Sequence, residues 1–292
     1  MYFCGMVRRG FIILCLQLLS LSVFAQSDSV VYVAKKYDTA DLKSGLTLHS
    51  YIYDESQAFK SNQQIFILEI PDNGKYSLEF VYEEKRTPTS TMALKSAAVA
   101  AVNGSFFDMD KHFPVCYLRI DSVEVGENTP GKDTVNRKYY QYGTICIDHD
   151  SVFILKTDSS RRWEERLPYR DIMTAGPLLI KDHELQYLRD DRTFVTMRHN
   201  RTALGILDDG TLLLVVADGR FKQAAGLTLF ELQEFMDLLG CRDAINLDGG
   251  GSTTLFMNTD EAEGVVNYPS DNGRFDHEGE RPVSNAIVVK RR

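Results

Sequence analysis

Asp248 stands directly after the apolar run 244–247 and directly before Gly249, Gly250, Gly251 and Ser252. A turn needs one glycine or two; three in succession suit backbone that must lie close to something else. Without side chains, neighbouring backbone N–H groups can converge on an anion, as they do in phosphate-cradling loops. A strand-end carboxylate beside such a cradle can act as acid, base or metal ligand. The plainer alternative is a tight loop at a sheet corner, where glycine serves only a positive φ. The run fits neither G-x-x-x-x-G-K-S/T nor G-x-G-x-x-G, and no lysine follows it.

The stretch AVNGSFFD, residues 101–108, has the same grammar: an apolar run leads into Asn103, Gly104 and Ser105, then Phe106 and Phe107. The aromatic pair can supply a platform for the apolar C–H face of a sugar, or can be core. Arg201 opens one apolar run, Asp218 closes another with Gly219-Arg220 behind it, and Arg281 precedes a third. Arginine suits bidentate recognition of phosphate or carboxylate; taken singly, each of these residues equally suits a salt bridge. His199, between Arg198 and Arg201, can be a proton donor or an exposed polar residue. G-x-S-x-G, H-E-x-x-H and histidine pairs at metal-ligand spacing do not occur, which argues against serine hydrolases and zinc proteases.

Strands must carry these residues. Runs 64–70 and 76–82 flank Pro71-Asp72-Asn73-Gly74-Lys75 and predict a hairpin. Runs 97–102, 115–120, 142–147 and 152–155 predict further strands, with polar 121–138 as a surface excursion. Runs 202–207 and 211–217 flank Asp208-Asp209-Gly210 and predict a second hairpin. Thr228 with Glu231 makes a capping box, and Leu229, Leu232, Phe235, Met236 and Leu239 share one helical face that Gly240 ends. Run 244–247 then feeds the glycines, and 285–289 is a closing strand. Strands dominate without a repeated βαβ unit. The predicted class is α+β with a mixed, largely antiparallel sheet and few helices. Residues 26–89 form a β-rich segment packing on a main domain of residues 90–292.

Taken in order, AVNGSFFD, TAGPLLI, RTALGI, VVADGR, GLTLFELQEFM, AINLDGGGSTTL and RPVSNAIVV resemble the phosphodiester glycosidase family over residues 90–289. NLDGGGST is the most specific of these strings. The resemblance implies hydrolysis of a sugar-1-phosphodiester at the bond between sugar and phosphate. It implies one cleft in which Asp248, and second to it Asp218, is catalytic. Asn103, Gly104, Phe106, Arg201, Gly249, Gly250, Gly251, Ser252 and Arg281 would bind a carbohydrate or sugar-phosphate substrate. The chain departs from the pattern at Ser105, where a second glycine is usual, at Asn200, in place of a frequent proline, and at an insertion, 275–279, that brings in His277. Two readings from other classes use the same cleft. One is a non-catalytic glycan-binding protein of the envelope. The other is a phosphodiesterase cutting P–O with a divalent cation, Ca²⁺ or Mg²⁺, on Asp248, Asp218 and Asp108. No other cofactor is expected.

Arg8 and Arg9 precede an apolar stretch, 11–24, and Ala25 follows Val23-Phe24, the outline of a secretory signal peptide cleaved before Gln26. The stretch is shorter than the ~20 residues that span a bilayer, so export to the periplasm or medium of a bacterium is expected, with no membrane span afterwards. Losing two arginines would make a chain of formal charge −8 more acidic still. With no Lys/Arg run, that balance argues against a nucleic-acid partner. Cys116, Cys146 and Cys241 are too widely spaced for a metal site or disulfide framework, though one disulfide and a free thiol would be compatible with export.

Overall fold

The computed structural model describes residues 36–129, 138–149, 151–158, 160 and 162–292. The predicted leader and its cleavage point lie outside those residues, as does Pro130-Gly131. The apolar runs condense into three sheets. The eight-stranded sheet has the order Lys36–Asp41, Thr47–Tyr53, Gln63–Ile70, Leu212–Ala217, Arg201–Ile206, Asp243–Asn246, Leu178–Lys181, Glu184–Leu185. A five-stranded sheet orders Val123–Gly126, Leu118–Ile120, Asp171–Ala175, Gly143–Asp148 and Ser151–Lys156. The third orders Glu263–Val265, Leu255–Asn258, Ala100–Asn103, Val283–Arg291 and Tyr76–Thr87.

One core fills the space the sheets enclose. Leu68, Leu204, Leu214 and Ile245 of the large sheet meet Ile145 and Met173 of the second and Val102, Leu255 and Ile287 of the third. The opposite face of the large sheet, with Ile67, Ala203 and Val215, takes the helix Leu229–Leu238 through Leu232, Phe235 and Met236. Covered on both faces, Arg201–Ile206 is buried throughout, which is why it reads as a continuous apolar run without alternation. The capping box forms: Glu231 N donates to Thr228 Oγ1 at 3.1 Å, and Thr228 N to Glu231 Oε2 at 2.8 Å. Removing the Thr228 hydroxyl would cost ~1 kcal/mol.

Three expectations need correction. Every described pairing is antiparallel, so the sheets are not mixed and the protein is mainly β. Gln63–Ile70 and Tyr76–Thr87 do not form a hairpin. Thr47–Tyr53 and Leu212–Ala217 occupy both edges of the first, and the second crosses to pair with Val283–Arg291. The intervening turn is a corner between sheets. The polar excursion includes an edge strand, Val123–Gly126. A helix that apolar periodicity did not flag, Thr89–Lys95, follows Pro88; Glu280 accepts Ser90 N at 2.7 Å and Ser90 Oγ at 2.6 Å there. The second hairpin does form, from Arg201↔Ala217 to Ile206↔Leu212. Residues 36–87 contribute strands to two of the three sheets. No helix among the described residues is long and apolar enough to cross a membrane.

Candidate active site

Antiparallel register gathers the polar strand ends. Ala217 faces Arg201, and Asn246 faces Ala203, so Asp218, Arg201 and Asp248 all lie at one end of the large sheet. In the third sheet Asn103 ends its strand opposite Ala286, beside Leu255 paired with Val102. Hydrogen bonds around Asp248 join the sheets here. Asp248 N donates to Gly104 O at 3.1 Å, and Asn103 Nδ2 donates to Asp248 O at 2.7 Å.

The three glycines make room, and what they make room for differs from expectation. Gly249 N donates to Asp248 Oδ1 at 2.9 Å and Gly250 N to Asn200 O at 2.9 Å, so these amides do not form an open anion cradle. A Cβ on Gly249 would stand 2.6 Å from Asn200 O, and one on Gly250 would stand 2.7 Å from Arg220 Nη2. One on Gly251 would overlap the Arg281 guanidinium and stand 2.6 Å from Asp271 Oδ1. The loop is bare because two guanidiniums lie on it.

Arg281 Nε donates to Asp271 Oδ1 at 2.8 Å. Arg220 has no hydrogen-bonded or ion-paired partner among the described residues; burial and then Arg281 lower its pKa. Its backbone sits at φ +69°, in the left-handed region. For a non-glycine residue this costs on the order of 1–2 kcal/mol and clusters at functional sites. Asp248 is half-buried beside the pair. Burial raises its pKa to about 6, against the opposing pull of the Ser252 hydroxyl, the Gly249 amide, Arg281 and Arg220. Ser252 Oγ is buried near the carboxylate without a hydrogen-bond partner of good geometry among the described residues.

Phe106 supplies a wall. It stacks on Tyr140 with ring centroids 4.7 Å apart and meets Phe194 edge-on at 5.9 Å. Lys138 Nζ lies 5.6 Å from the Tyr140 ring centre. Burial raises the Tyr140 pKa, and the charge of Asp248 is among the smaller contributions in the same direction. Tyr140, Arg220 and Asp271 are neighbours that sequence reading did not assign to the site. Arg220 was visible behind Asp218-Gly219, but nothing local signalled its left-handed turn.

Three expected site residues are turned inward. Arg201 is 1 % exposed; its Nε donates to Leu227 O at 2.8 Å and its Nη2 to Phe194 O and Met197 O at 2.8 and 3.0 Å. Its guanidinium ties loops together, and it is Arg220 that lies on the glycine loop. Asn103 is fully buried; beyond its bond to Asp248 O, its Oδ1 accepts Thr202 Oγ1 at 2.8 Å and Thr254 N at 3.2 Å. Asp218, also fully buried, accepts Asn267 Nδ2 at 2.8 Å and Tyr268 N at 3.0 Å. Burial raises its pKa to about 7 against those two bonds. Gly104 leaves space for Asn285 Oδ1, which accepts Ser105 N at 2.7 Å.

The trio proposed for a cation does not converge. Asp108 accepts Asp110 N and Lys111 N at 2.8 and 2.9 Å within its own exposed turn. Among the described residues no group of three or more His, Cys, Asp or Glu side chains is placed to hold a metal ion. Cys116, Cys146 and Cys241 are all free and buried, and burial pushes the Cys146 and Cys241 thiols up to about 12.

A family model described as Phosphodiester glycosidase matches residues 96–290. Over 78 residues the chain is 44% identical to mouse N-acetylglucosamine-1-phosphodiester alpha-N-acetylglucosaminidase and 43% identical to the human enzyme. Those stretches cover 27% of this chain and only 14% of either relative. A Bacillus subtilis SPbeta prophage-derived protein, YomE, is 37% identical over 59 residues, 20% of this chain and 9% of that one. The zebrafish catalytic domain of the same glucosaminidase, auto-inhibited by its pro-peptide, superposes with a TM-score of 0.66 at 20% identity over 89% of each chain. A hypothetical protein from Synechocystis gives 0.61 at 16% identity, over 89% of this chain and 64% of that one. At such identities these two likenesses speak to the fold alone.

Proposed function

We propose, from the premise that this chain belongs to the phosphodiester glycosidase family, that it is an exported hydrolase of sugar-1-phosphodiesters. The observation that carries this reading is the pair of guanidiniums, Arg220 and Arg281, laid on the glycine loop beside Asp248. The pair suits the non-bridging oxygens of a phosphodiester, and Phe106 with Tyr140 suits the apolar face of the sugar. Water adds to the anomeric carbon as the C–O bond to phosphate breaks. The bonding electrons leave on the phosphate oxygen, whose charge the arginines balance, so little help from a general acid is needed. Asp248, ionised above about pH 6, stabilises positive charge at the anomeric carbon or takes a proton from the water. Asp218 holds the Asn267 side chain and the Tyr268 backbone N–H in place and Asn103 fixes the Asp248 peptide; neither touches substrate in this scheme.

The test is a panel of sugar-1-phosphodiesters and chromogenic phosphodiesters in ¹⁸O-water, with and without chelator. Label in the released sugar supports C–O cleavage. Label in the phosphate, or loss of turnover with chelator, replaces it with metal-assisted P–O chemistry. Binding without turnover replaces it with a glycan-binding protein. Export rests on Arg8, Arg9 and the apolar stretch behind them, and N-terminal sequencing of the native protein checks it.

A further inference from the structure

Among the described residues Asp271 is the one carboxylate bonded to the arginine pair, and the mechanism above does not use it. Its Oδ1 accepts Arg281 Nε and Nη2 at 2.8 and 2.5 Å, and lies close enough to Gly251 to exclude a Cβ there. Its charge also acts on Arg220. We propose that Asp271 is a charge filter: it lets the Arg220–Arg281 pair take a singly charged phosphodiester while turning away the doubly charged phosphomonoester that hydrolysis leaves.

Counting charge at the site gives the reason. Arg220 and Arg281 contribute two positive charges; Asp271 and ionised Asp248 contribute two negative ones. His199 is kept toward its neutral form by burial, Arg201 and Arg220. Lys138 stands over Tyr140 on the aromatic wall. The pair therefore offers directed N–H donors with little net attraction for a second negative charge. A phosphomonoester carries about −1.5 to −2 near neutral pH, a diester −1. Two unopposed arginines would hold the product more tightly than the substrate. With Asp271 in place, cleavage raises the charge of the bound group and loosens it.

This inference rests on the anion site proposed above, and its test is chosen to fail separately. Calorimetric titration of the intact chain at pH 7.5 uses dimethyl phosphate and methyl phosphate as probes. Wild type should bind dimethyl phosphate at least as tightly as methyl phosphate. Asp271→Asn keeps an oxygen for Arg281 but removes the charge. It should tighten methyl phosphate roughly tenfold more than dimethyl phosphate, the factor one extra unit charge brings at this range and an intermediate dielectric. Asp271→Glu should keep the wild-type order. Equal tightening of both probes by the asparagine variant overturns the filter alone, as does a tenfold wild-type preference for methyl phosphate. If neither probe binds wild type, the anion site itself falls and the filter with it.

Discussion

Arg220 Nη2 lies 2.7 Å from the point where a Cβ on Gly250 would stand, and Gly250 is itself held at φ +63°. The glycine and the arginine are one device. Gly250→Ala should meet two penalties, a left-handed backbone worth ~1–2 kcal/mol and a displaced guanidinium. Thermal unfolding should fall by a few degrees, at about 2–4 °C per kcal/mol for a large domain, and KM for a phosphodiester should rise at least about tenfold. Lower stability with an unchanged KM would mean that Arg220 does not contact substrate.

Asp248→Asn is nearly isosteric and removes the charge. Turnover should fall by at least about two orders of magnitude, the lower end of what positioned acid–base groups supply. Affinity for an anionic substrate should hold or improve. Wild-type turnover in this variant would make Asp248 structural.

The raised pKa of Asp248 sets a pH profile. Because the ionised form is the working one, kcat/KM should climb with pH through a midpoint near 6. Arg220 and Arg281 oppose the upward shift that burial causes. Arg220→Gln should therefore move the midpoint to higher pH as well as weaken binding. A midpoint that stays put would detach Arg220 from Asp248.

The arginines predict opposite phenotypes. Arg201→Met removes the charged hydrogen bonds that the guanidinium makes to three carbonyls, those of Leu227, Phe194 and Met197. At about 1.5–3 kcal/mol per hydrogen bond to a charged group, the loss should be at least about 3 kcal/mol in urea unfolding. Arg220→Met should leave stability within about 1 kcal/mol and act on KM. Equal stability losses would contradict the division of labour.

Asp218 predicts a pH dependence of stability. Its folded pKa is about 7 against 3.8 for the free group, raised by burial. The folded state therefore holds the proton more tightly than the unfolded chain. The contribution is fully present below the unfolded value and is lost as pH rises through about 7, at most about 4 kcal/mol in all. Urea unfolding of wild type and Asp218→Asn between pH 4 and 8 should diverge in slope, with the asparagine variant flatter. Parallel curves would refute the buried ionisation.

The Thr228–Glu231 box, the run opening at Arg201 and the strand before Asp248 were legible because local chemistry decides them. Strand partnership was not. Pro71 to Lys75 has hairpin chemistry, yet the edges it would join are taken by Thr47–Tyr53, Leu212–Ala217 and Val283–Arg291, far away in sequence. The site divides the same way. Asp248 and the glycines announce themselves, but Arg201 and Arg220 occupy equivalent-looking strand ends. Only the carbonyls of Phe194, Met197 and Leu227 decide which guanidinium turns inward. Tyr140 follows a polar stretch, and its place against Phe106 comes from tertiary packing.

The crowding around the glycine loop also governs how such a protein can diversify. Gly249, Gly250 and Gly251 each face a neighbour that a methyl group would strike, and the Asn103 amide is committed at both ends. Inherited changes there would be purged before they could alter selectivity. Asp271, Arg274 and His277 are exposed on the segment that leads from Tyr268 back to Arg281. A lineage, or a mutagenesis library, exploring new leaving groups has its freedom on that rim, while the reacting centre stays fixed.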